Sequence, residues 1–169
     1  MVITRETDYA LRILRDDLAR KVRPAFIATG AMSDPYNPFE ASLQLTRHAL
    51  ELIDAYQCGA AIATKSDLIV RDRDILDSIA RHSPVICKLT ITTTDDALAA
   101  RLEPGAPSPS RRLAALRELA DRGLFAGVLL MPVLPFLEDT EENVLEVVER
   151  AAEAGASFVY PALGVTMRE

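Results

Sequence analysis

Short apolar runs alternate with longer amphipathic segments along the chain. Apolar and β-branched residues cluster in runs of four to eight, which predicts buried strands. These runs are 26–29, 60–64, 85–91, 126–133 and 157–160. Between them, apolar residues recur at helical spacing, which predicts amphipathic helices. The predicted helices are 8–20, 41–56, 71–81, 95–101, 109–122 and 139–154.

The strands read as nearly all apolar, which is typical of a sheet that is buried on both faces. Strands that alternate with helices imply a parallel sheet with right-handed crossovers. Two architectures satisfy this pattern, a doubly wound open sheet and part of a β/α barrel. Hydrophobic periodicity does not choose between them.

Helix ends carry recognisable capping residues. Ser108 with Pro109 predicts one helix start, and Gly123 predicts the end of that helix. Asp139 and Glu142 resemble a capping pair for the last helix. These residues indicate where the last two predicted helices begin and where the first of the two ends.

The length of 169 residues is enough for one domain with a sizeable core, which we assign to residues 1–169. The formal net charge of −6 argues against strong non-specific attachment to nucleic acid or anionic membranes. There is no apolar run long enough to span a bilayer and no charged-then-apolar start, so we expect a cytoplasmic protein. Cys58 and Cys87 read as small buried hydrophobes, and with His48 and His82 they form no recognisable metal-binding spacing.

Polar side chains follow the first three predicted strands, where either architecture would place an active site. Hydroxyls, a carboxylate and an ammonium at these ends suit a zwitterionic or polyhydroxylated ligand. They are Ser33, Asp34, Lys65, Ser66, Thr90 and Thr92. Polar residues are also common in solvated loops, and Asp34-Pro35 is a turn signal. The charged runs 71–74 and 111–112 are expected to be solvated.

At these strand ends the sequence resembles the radical S-adenosylmethionine (SAM) enzymes, in the spore photoproduct lyase-like branch. The first segment that carries the resemblance is Gly30-Ala31-Met32-Ser33-Asp34-Pro35-Tyr36-Asn37-Pro38-Phe39-Glu40, and the match covers roughly residues 10 to 168. Further matching segments follow in the family's order. They are 45–47, 64–69, 90–96, 103–107, 132–135 and 155–157.

The resemblance implies a partial (β/α)₆ barrel, an incomplete relative of the TIM barrel. The five predicted strands would be its second to sixth, with the first strand missing, a helix at 8–20 and barrel units over 25–165. In this family a [4Fe–4S] cluster cleaves SAM reductively to a 5′-deoxyadenosyl radical, with electrons from a reductant such as flavodoxin or ferredoxin. The branch is named for a DNA-repair lyase, although the net charge here does not indicate nucleic acid.

The resemblance also implies which residues line the SAM site. Lys65 would meet the methionyl carboxylate, and Thr90 or Thr92 the ribose. The whole predicted set is Gly30, Ser33, Asp34, Tyr36, Lys65, Ser66, Thr90 and Thr92.

One departure from the family is decisive for activity. The family's cluster motif, Cys-x₃-Cys-x₂-Cys, is absent, and two cysteines cannot supply three ligands. We therefore expect a truncated protein that is inactive alone, with an open sheet edge at 26–29 that favours self-association. The alternatives are a non-catalytic module that binds SAM, a nucleotide or a partner, and an unrelated doubly wound protein.

Overall fold

The computed structural model describes residues 5–30 and 33–163 as five strands with flanking helices. In chain order the elements are α1 (Arg5–Ala19), β1 (Phe26–Thr29), α2 (Glu40–Leu43), α3 (Leu45–Ala55), β2 (Gly59–Thr64), a 3₁₀ helix (Asp67–Asp72), α4 (Arg73–Ala80), β3 (Val85–Thr90), α5 (Asp96–Leu102), α6 (Pro109–Asp121), β4 (Phe125–Val133), α7 (Glu141–Glu153) and β5 (Val159–Leu163).

The strand order decides between the two predicted architectures. The sheet runs β1-β2-β3-β4-β5 in sequence order, and every neighbouring pair is parallel. Successive right-handed crossovers that never reverse direction place their helices on one face of the sheet. The structure is therefore a segment of a β/α barrel, which confirms the predicted fold and excludes the doubly wound alternative.

The helix-covered face of the sheet forms the hydrophobic core. Alternate strand residues point into it, including Ile62, Cys87, Leu89, Val128 and Leu130, all at most 1% exposed. The helices contribute Ile53, Leu76, Ile79, Leu116, Leu119 and Val147 to the same cluster. Burying each such side chain stabilises the fold by about 1.5–3 kcal/mol before entropy is counted.

One predicted helix is broken in two. The pattern predicts a continuous helix over 41–56, but Gln44 adopts a left-handed conformation with φ of 53° between α2 and α3. The buried Glu40 side chain explains the break, because its carboxylate accepts hydrogen bonds from the backbone of Thr46 at 3.0 Å and Arg47 at 3.5 Å. Glu40 thereby satisfies two amides of the first turn of α3.

The charged run 71–74 is a solvated helix start only in its second half, where the exposed Arg73 and Asp74 begin α4. Its Asp72 is 0% exposed and accepts hydrogen bonds from Tyr36, Arg47 and Arg71. The four residues close a 3₁₀ helix and open α4. Periodicity missed this because a buried carboxylate paired with arginines leaves the same sequence pattern as an exposed one.

The predicted helix caps are right in one case and displaced in the other. Ser108 caps α6, its side chain accepting from the backbone N–H of Arg111, with Pro109 in the first turn. The cap of α7 is Thr140, whose hydroxyl accepts from the N–H of Asn143, and not the predicted Asp139 with Glu142. The last strand also begins two residues later than predicted, at Val159.

Within the described residues, β1 and β5 are the two edges of the sheet. The predicted open edge at 26–29 therefore exists, and self-association through it stays a prediction. No helix among the described residues is long and apolar enough to cross a membrane.

Candidate functional site

The loop after β1 crosses very close to the next strand at Gly30. This residue has φ of +92°, and a Cβ placed on it would lie 2.1 Å from the carbonyl oxygen of Ala63. A side chain is thus excluded both by conformation and by space. Gly30 brings the loop over the ends of β1 and β2, the first part of what we call the carboxyl-end rim: the strand-end loops that hold Gly30, Ser33, Asp34, Lys65, Ser66, Thr90 and Thr92.

The carboxylate of Asp34 holds the β1 and β2 ends together. One oxygen accepts from the backbone N–H of Tyr36 at 2.8 Å and from the hydroxyl of Thr64 at 2.6 Å. The other accepts from the N–H of Lys65 at 2.7 Å. Most of its acceptor capacity is therefore used by the protein. Asp34 positions the loop, and little of its carboxylate remains for a ligand ammonium.

Lys65 belongs to a network of charged side chains that connects the end of β2 to the end of β3. Its ammonium is hydrogen-bonded to Glu103, and the other Glu103 oxygen accepts from Arg112 at 2.6 Å. Arg112 also donates to the carbonyl of Thr90 at 2.9 Å and to that of Pro107 at 2.8 Å. The Arg112 side chain is 2% exposed, whereas that of Lys65 is 39% exposed. The network is therefore buried at Arg112 and exposed to solvent at Lys65.

Glu103 stays ionised in this arrangement. Burial raises its pKa, but the hydrogen bonds from Lys65 and Arg112 outweigh burial and hold the pKa below its usual value. Because Glu103 divides its two oxygens between Arg112 and Lys65, the half-exposed ammonium of Lys65 can still bind a second anion. A ligand carboxylate can then join Glu103 as a second partner of Lys65.

A second network ties the end of β3 to the loop after β4. The hydroxyl of Thr92 donates to Glu138 at 2.6 Å, and Glu138 is 2% exposed. The other Glu138 oxygen accepts from the N–H of Leu134 at 3.1 Å. Asn143 completes the network by donating to the carbonyls of Thr92 and Glu138, both at 2.8 Å. Because the Thr92 hydroxyl donates its hydrogen to Glu138, its oxygen can only accept a hydrogen bond from a ligand.

Three other predicted residues occupy different positions. Ser33 is exposed in the rim loop. Ser66 caps the 3₁₀ helix by accepting from the N–H of Leu68. Tyr36 lies in the core, and its hydroxyl donates to Asp72 at 3.1 Å; burial and Asp72 raise the pKa of Tyr36. Contacts with a ligand are therefore open to Ser33, whereas Ser66 and Tyr36 have structural partners.

The donor set of the rim fits SAM. The cofactor's amino-acid end needs a cation for its carboxylate, and its ribose needs hydroxyl or carbonyl partners. Lys65 and Ser33 meet these needs at the exposed surface, whereas Thr90 and Thr92, at the end of β3, are buried at 8% and 6% exposure. The hydroxyl of Thr29 is buried and has no hydrogen-bond partner within the described ranges, but its register with Ile62 puts it on the helix-covered face and outside this set.

The cysteines do not fit an iron–sulfur cluster. The whole chain has two, and the cluster of the resembled family needs three thiolates. Both are buried; Cys58 accepts from the N–H of Ala25, and burial raises the pKa of Cys87 to about 12. Across residues 5–30 and 33–163, no group of three His, Cys, Asp or Glu side chains is arranged to hold a metal ion.

Three residues that complete the rim were missed as site residues from sequence. Arg112 was expected to be solvated with Arg111, but Arg112 is buried and only Arg111 is exposed. Glu103 lies in a segment of the family resemblance, where it was given no role. Glu138 lies in the loop after β4, and nothing in its local pattern marks it as buried.

Comparison with known proteins bears on the fold. No family model matches the chain. The chain is 18% identical to spore photoproduct lyase complexed with dinucleoside spore photoproduct, over 88% of this chain and 42% of that one, with a TM-score of 0.65. It is 16% identical to Streptococcus suis SuiB bound to S-adenosylmethionine, over 95% of this chain and 34% of that one, with a TM-score of 0.66. Both are radical SAM enzymes. This chain has a radical SAM-like fold.

Similar sequences occur in bacteria and archaea. An uncharacterized protein of Mycobacterium tuberculosis is 31% identical over 87% of this chain. An uncharacterized protein of Methanocaldococcus jannaschii is 35% identical over 68% of this chain. The chain spans less than half of these relatives, 44% and 43% of their lengths. The chain thus matches one part of these longer relatives.

Proposed function

We propose that the carboxyl-end rim binds S-adenosylmethionine, and that the chain is the SAM-binding part of a radical SAM-type enzyme. The single observation that carries the proposal is the half-exposed Lys65 held by Glu103 and Arg112 at the end of β2. The SAM-bound neighbour with the same fold supports it. SAM supplies the reactive group when bound, and this chain's residues bind and orient it.

Each residue of the rim has a proposed task. Lys65 binds the methionyl carboxylate as a point charge. Glu103, which is itself held by Arg112, keeps the Lys65 ammonium in place. Thr92 offers an acceptor lone pair to a ribose hydroxyl, because its own proton is held by Glu138. Ser33 and the backbone of Gly30 flank the ligand from the β1 loop. Asp34 sets the position of that loop.

The cluster's ligands are proposed to come from residues outside this chain, because its two cysteines do not fit. Reductive cleavage, an electron donor and a lyase-like substrate therefore belong to the longer enzyme. A non-catalytic SAM-binding module is the second candidate, and the same misfit of the cysteines favours it. Both candidates require the rim to bind SAM.

Calorimetric titration of SAM into the metal-free chain tests the proposal. We expect saturable one-to-one binding by the unmodified chain and by Lys21→Met, whose lysine is exposed and lies before β1. Lys65→Met is expected to bind at least tenfold more weakly, the equivalent of about 1.4 kcal/mol. Unchanged affinity in Lys65→Met would remove Lys65 from the site, and no binding by any variant would remove the proposal.

An assay for cleavage of SAM distinguishes the two candidate functions. A longer protein that contains this segment, reconstituted with iron and sulfide and reduced, is expected to release methionine from SAM if it is a radical SAM enzyme. Binding without any release of methionine would favour the non-catalytic module.

A further inference from the structure

Lys88 is the one charged side chain on the five described strands. The strand sequences FIAT, GAAIAT, VICKLT, FAGVLLMPV and VYPAL hold no other Asp, Glu, Lys or Arg. It lies on β3, the middle strand of the sheet. A lysine that blunts a sheet edge would lie on β1 or β5 instead. Its position therefore has another cause.

The side chain of Lys88 points to the face of the sheet that the helices do not cover. Its neighbours in sequence, Cys87 and Leu89, are both 0% exposed in the core, so alternation puts Lys88 on the opposite face. Ala63 and Gly127 are its register partners on β2 and β4. Ala63 leaves room on the β2 side of the lysine stem, whereas on the β4 side the ring of Phe158 lies against Gly127.

The surface around Lys88 is apolar and partly exposed. Register and alternation put Phe26, Phe125 and Tyr160 on this open face, at 49%, 50% and 59% exposure. Phe158 lies beside Gly127 and packs on Phe125, with ring centroids 5.3 Å apart. Phe125, Phe158 and Tyr160 lie on the β4 and β5 side of Lys88, whereas Phe26 lies at the amino end of β1, two strands away. Exposed aromatic side chains on one face are typical of a binding surface.

The ammonium of Lys88 has no hydrogen bond and no ion pair with any described residue. By contrast, the ammonium of Lys65 is held by Glu103. A cation in apolar surroundings without a counter-ion costs free energy that an anionic ligand can offset. Thr90, the next residue on the same face, lies about 7 Å further toward the rim along β3. Lys88 is therefore placed below the proposed SAM site and not in it.

We propose that Lys88 binds the carboxylate of a substrate whose apolar body lies on the open face of the sheet. This inference rests on the proposed function, since it adds a substrate class to the same barrel. The aromatic side chains supply apolar contact, and Lys88 supplies the single charge that orients the substrate. A lysine ammonium acts as a point charge and suits a carboxylate without requiring a fixed bidentate geometry.

The chain's three lysines make a direct test possible. Reductive methylation with ¹³C-formaldehyde keeps their charge and gives each a separate NMR signal, which single Lys→Met variants assign. Benzoate is the probe, with neutral benzamide as its matched control. We expect benzoate to shift the Lys88 signal saturably at a concentration at least tenfold below any effect on Lys21. Benzamide is expected to leave the Lys88 signal in place.

Inorganic phosphate and SAM complete the experiment. Phosphate that saturates Lys88 better than benzoate would overturn the assignment of a carboxylate on an apolar body. Parallel shifts of Lys88 and Lys21 in benzoate, or equal shifts with benzamide, would reduce Lys88 to a solvated lysine. SAM is expected to shift Lys65 and not Lys88. A benzoate effect on Lys88 without a SAM effect on Lys65 would refute the proposed function while leaving the anion site.

Discussion

The two faces of the sheet are built for different purposes. Leu130 points into the helix-covered face and is 1% exposed, whereas its neighbour Leu129 points to the open face and is half-buried. The covered face carries the large aliphatic side chains of the core. The open face carries alanine, glycine, exposed aromatics, the half-buried Ile86 and Leu129, Thr90 and the unpaired Lys88. Stability is concentrated on one face, which leaves the other free to be shaped by a ligand.

Leu130→Ala against Leu129→Ala measures this difference with one residue type on one strand. We expect Leu130→Ala to lower the free energy of unfolding by about 2–5 kcal/mol, because a filled core position becomes a cavity. Leu129→Ala should cost less than half as much, because solvent reaches its side chain. Urea denaturation of both variants makes the measurement. Equal losses would show that the open face is packed like the core.

Arg112→Met tests the buried anchor of the rim. Its removal leaves Glu103 with one partner and the carbonyls of Thr90 and Pro107 without their donor. We expect the unfolding free energy to fall by about 3 kcal/mol, as when one partner of a buried ion pair is removed. Arg111→Met is the control, since Arg111 is exposed and pairs with Asp67 at the surface, where such pairs contribute about 1 kcal/mol or less.

Glu138→Gln tests the link between β3 and the loop after β4. The amide cannot accept from both Thr92 and the N–H of Leu134 as the carboxylate does. We expect a loss of about 1–3 kcal/mol, the range for a buried hydrogen-bonding group left unsatisfied. Glu142→Gln, at an exposed helix start, should change stability by less than about 0.5 kcal/mol. Similar losses in both would place Glu138 outside any buried network.

Acid should weaken the rim through Glu103. Its pKa is lower in the folded protein than its ordinary value of 4.5. Its contribution to stability is therefore complete above about pH 4.5 and is lost as the pH falls through the lower folded pKa. We expect the unfolding free energy of Glu103→Gln to fall less steeply below pH 4.5 than that of the unmodified chain. Identical pH slopes would contradict the ionised, paired state of Glu103.

Asp74 adds a smaller effect at lower pH. A hydrogen bond from Arg47 lowers the pKa of Asp74 from 3.8 to about 2. Its stabilising effect is therefore lost between these two values as the pH falls. Because Asp74 is exposed, screening by salt should shrink the effect. Asp74→Asn in unfolding titrations at low and high salt is expected to remove the salt-dependent part of the slope between pH 4 and 2.

Hydrophobic pattern and family resemblance predicted the fold because each strand and helix carries its own periodic signal. The five strands and their parallel order needed no long-range information once the family order of segments was recognised. The missed features depend on specific side-chain partners, which hydrophobic periodicity does not encode. Arg112 was expected to be solvated because its burial depends on Glu103, on the carbonyl of Thr90 at the end of β3 and on that of Pro107. Glu40 breaks a helix by capping its second half, which periodicity cannot express.

Only part of the candidate site could be predicted from the sequence. Strand ends identified Asp34, Lys65 and Thr92 as neighbours on one rim, because parallel strands end at the same edge of a sheet. Sequence could not tell which of them already have protein partners. Asp34 is occupied by three donors, whereas Lys65 keeps an exposed fraction of 39%. That difference emerges only from contacts between loops.

Amide hydrogen exchange with and without SAM tests the central claim most directly. We expect SAM to slow exchange in the loops that follow β1, β2 and β3, at 33–36, 64–66 and 90–93, and to leave the amino ends of the strands unchanged. Protection at those three loops would place the cofactor on the carboxyl-end rim. Protection elsewhere, or no protection at saturating SAM, would contradict the proposed function.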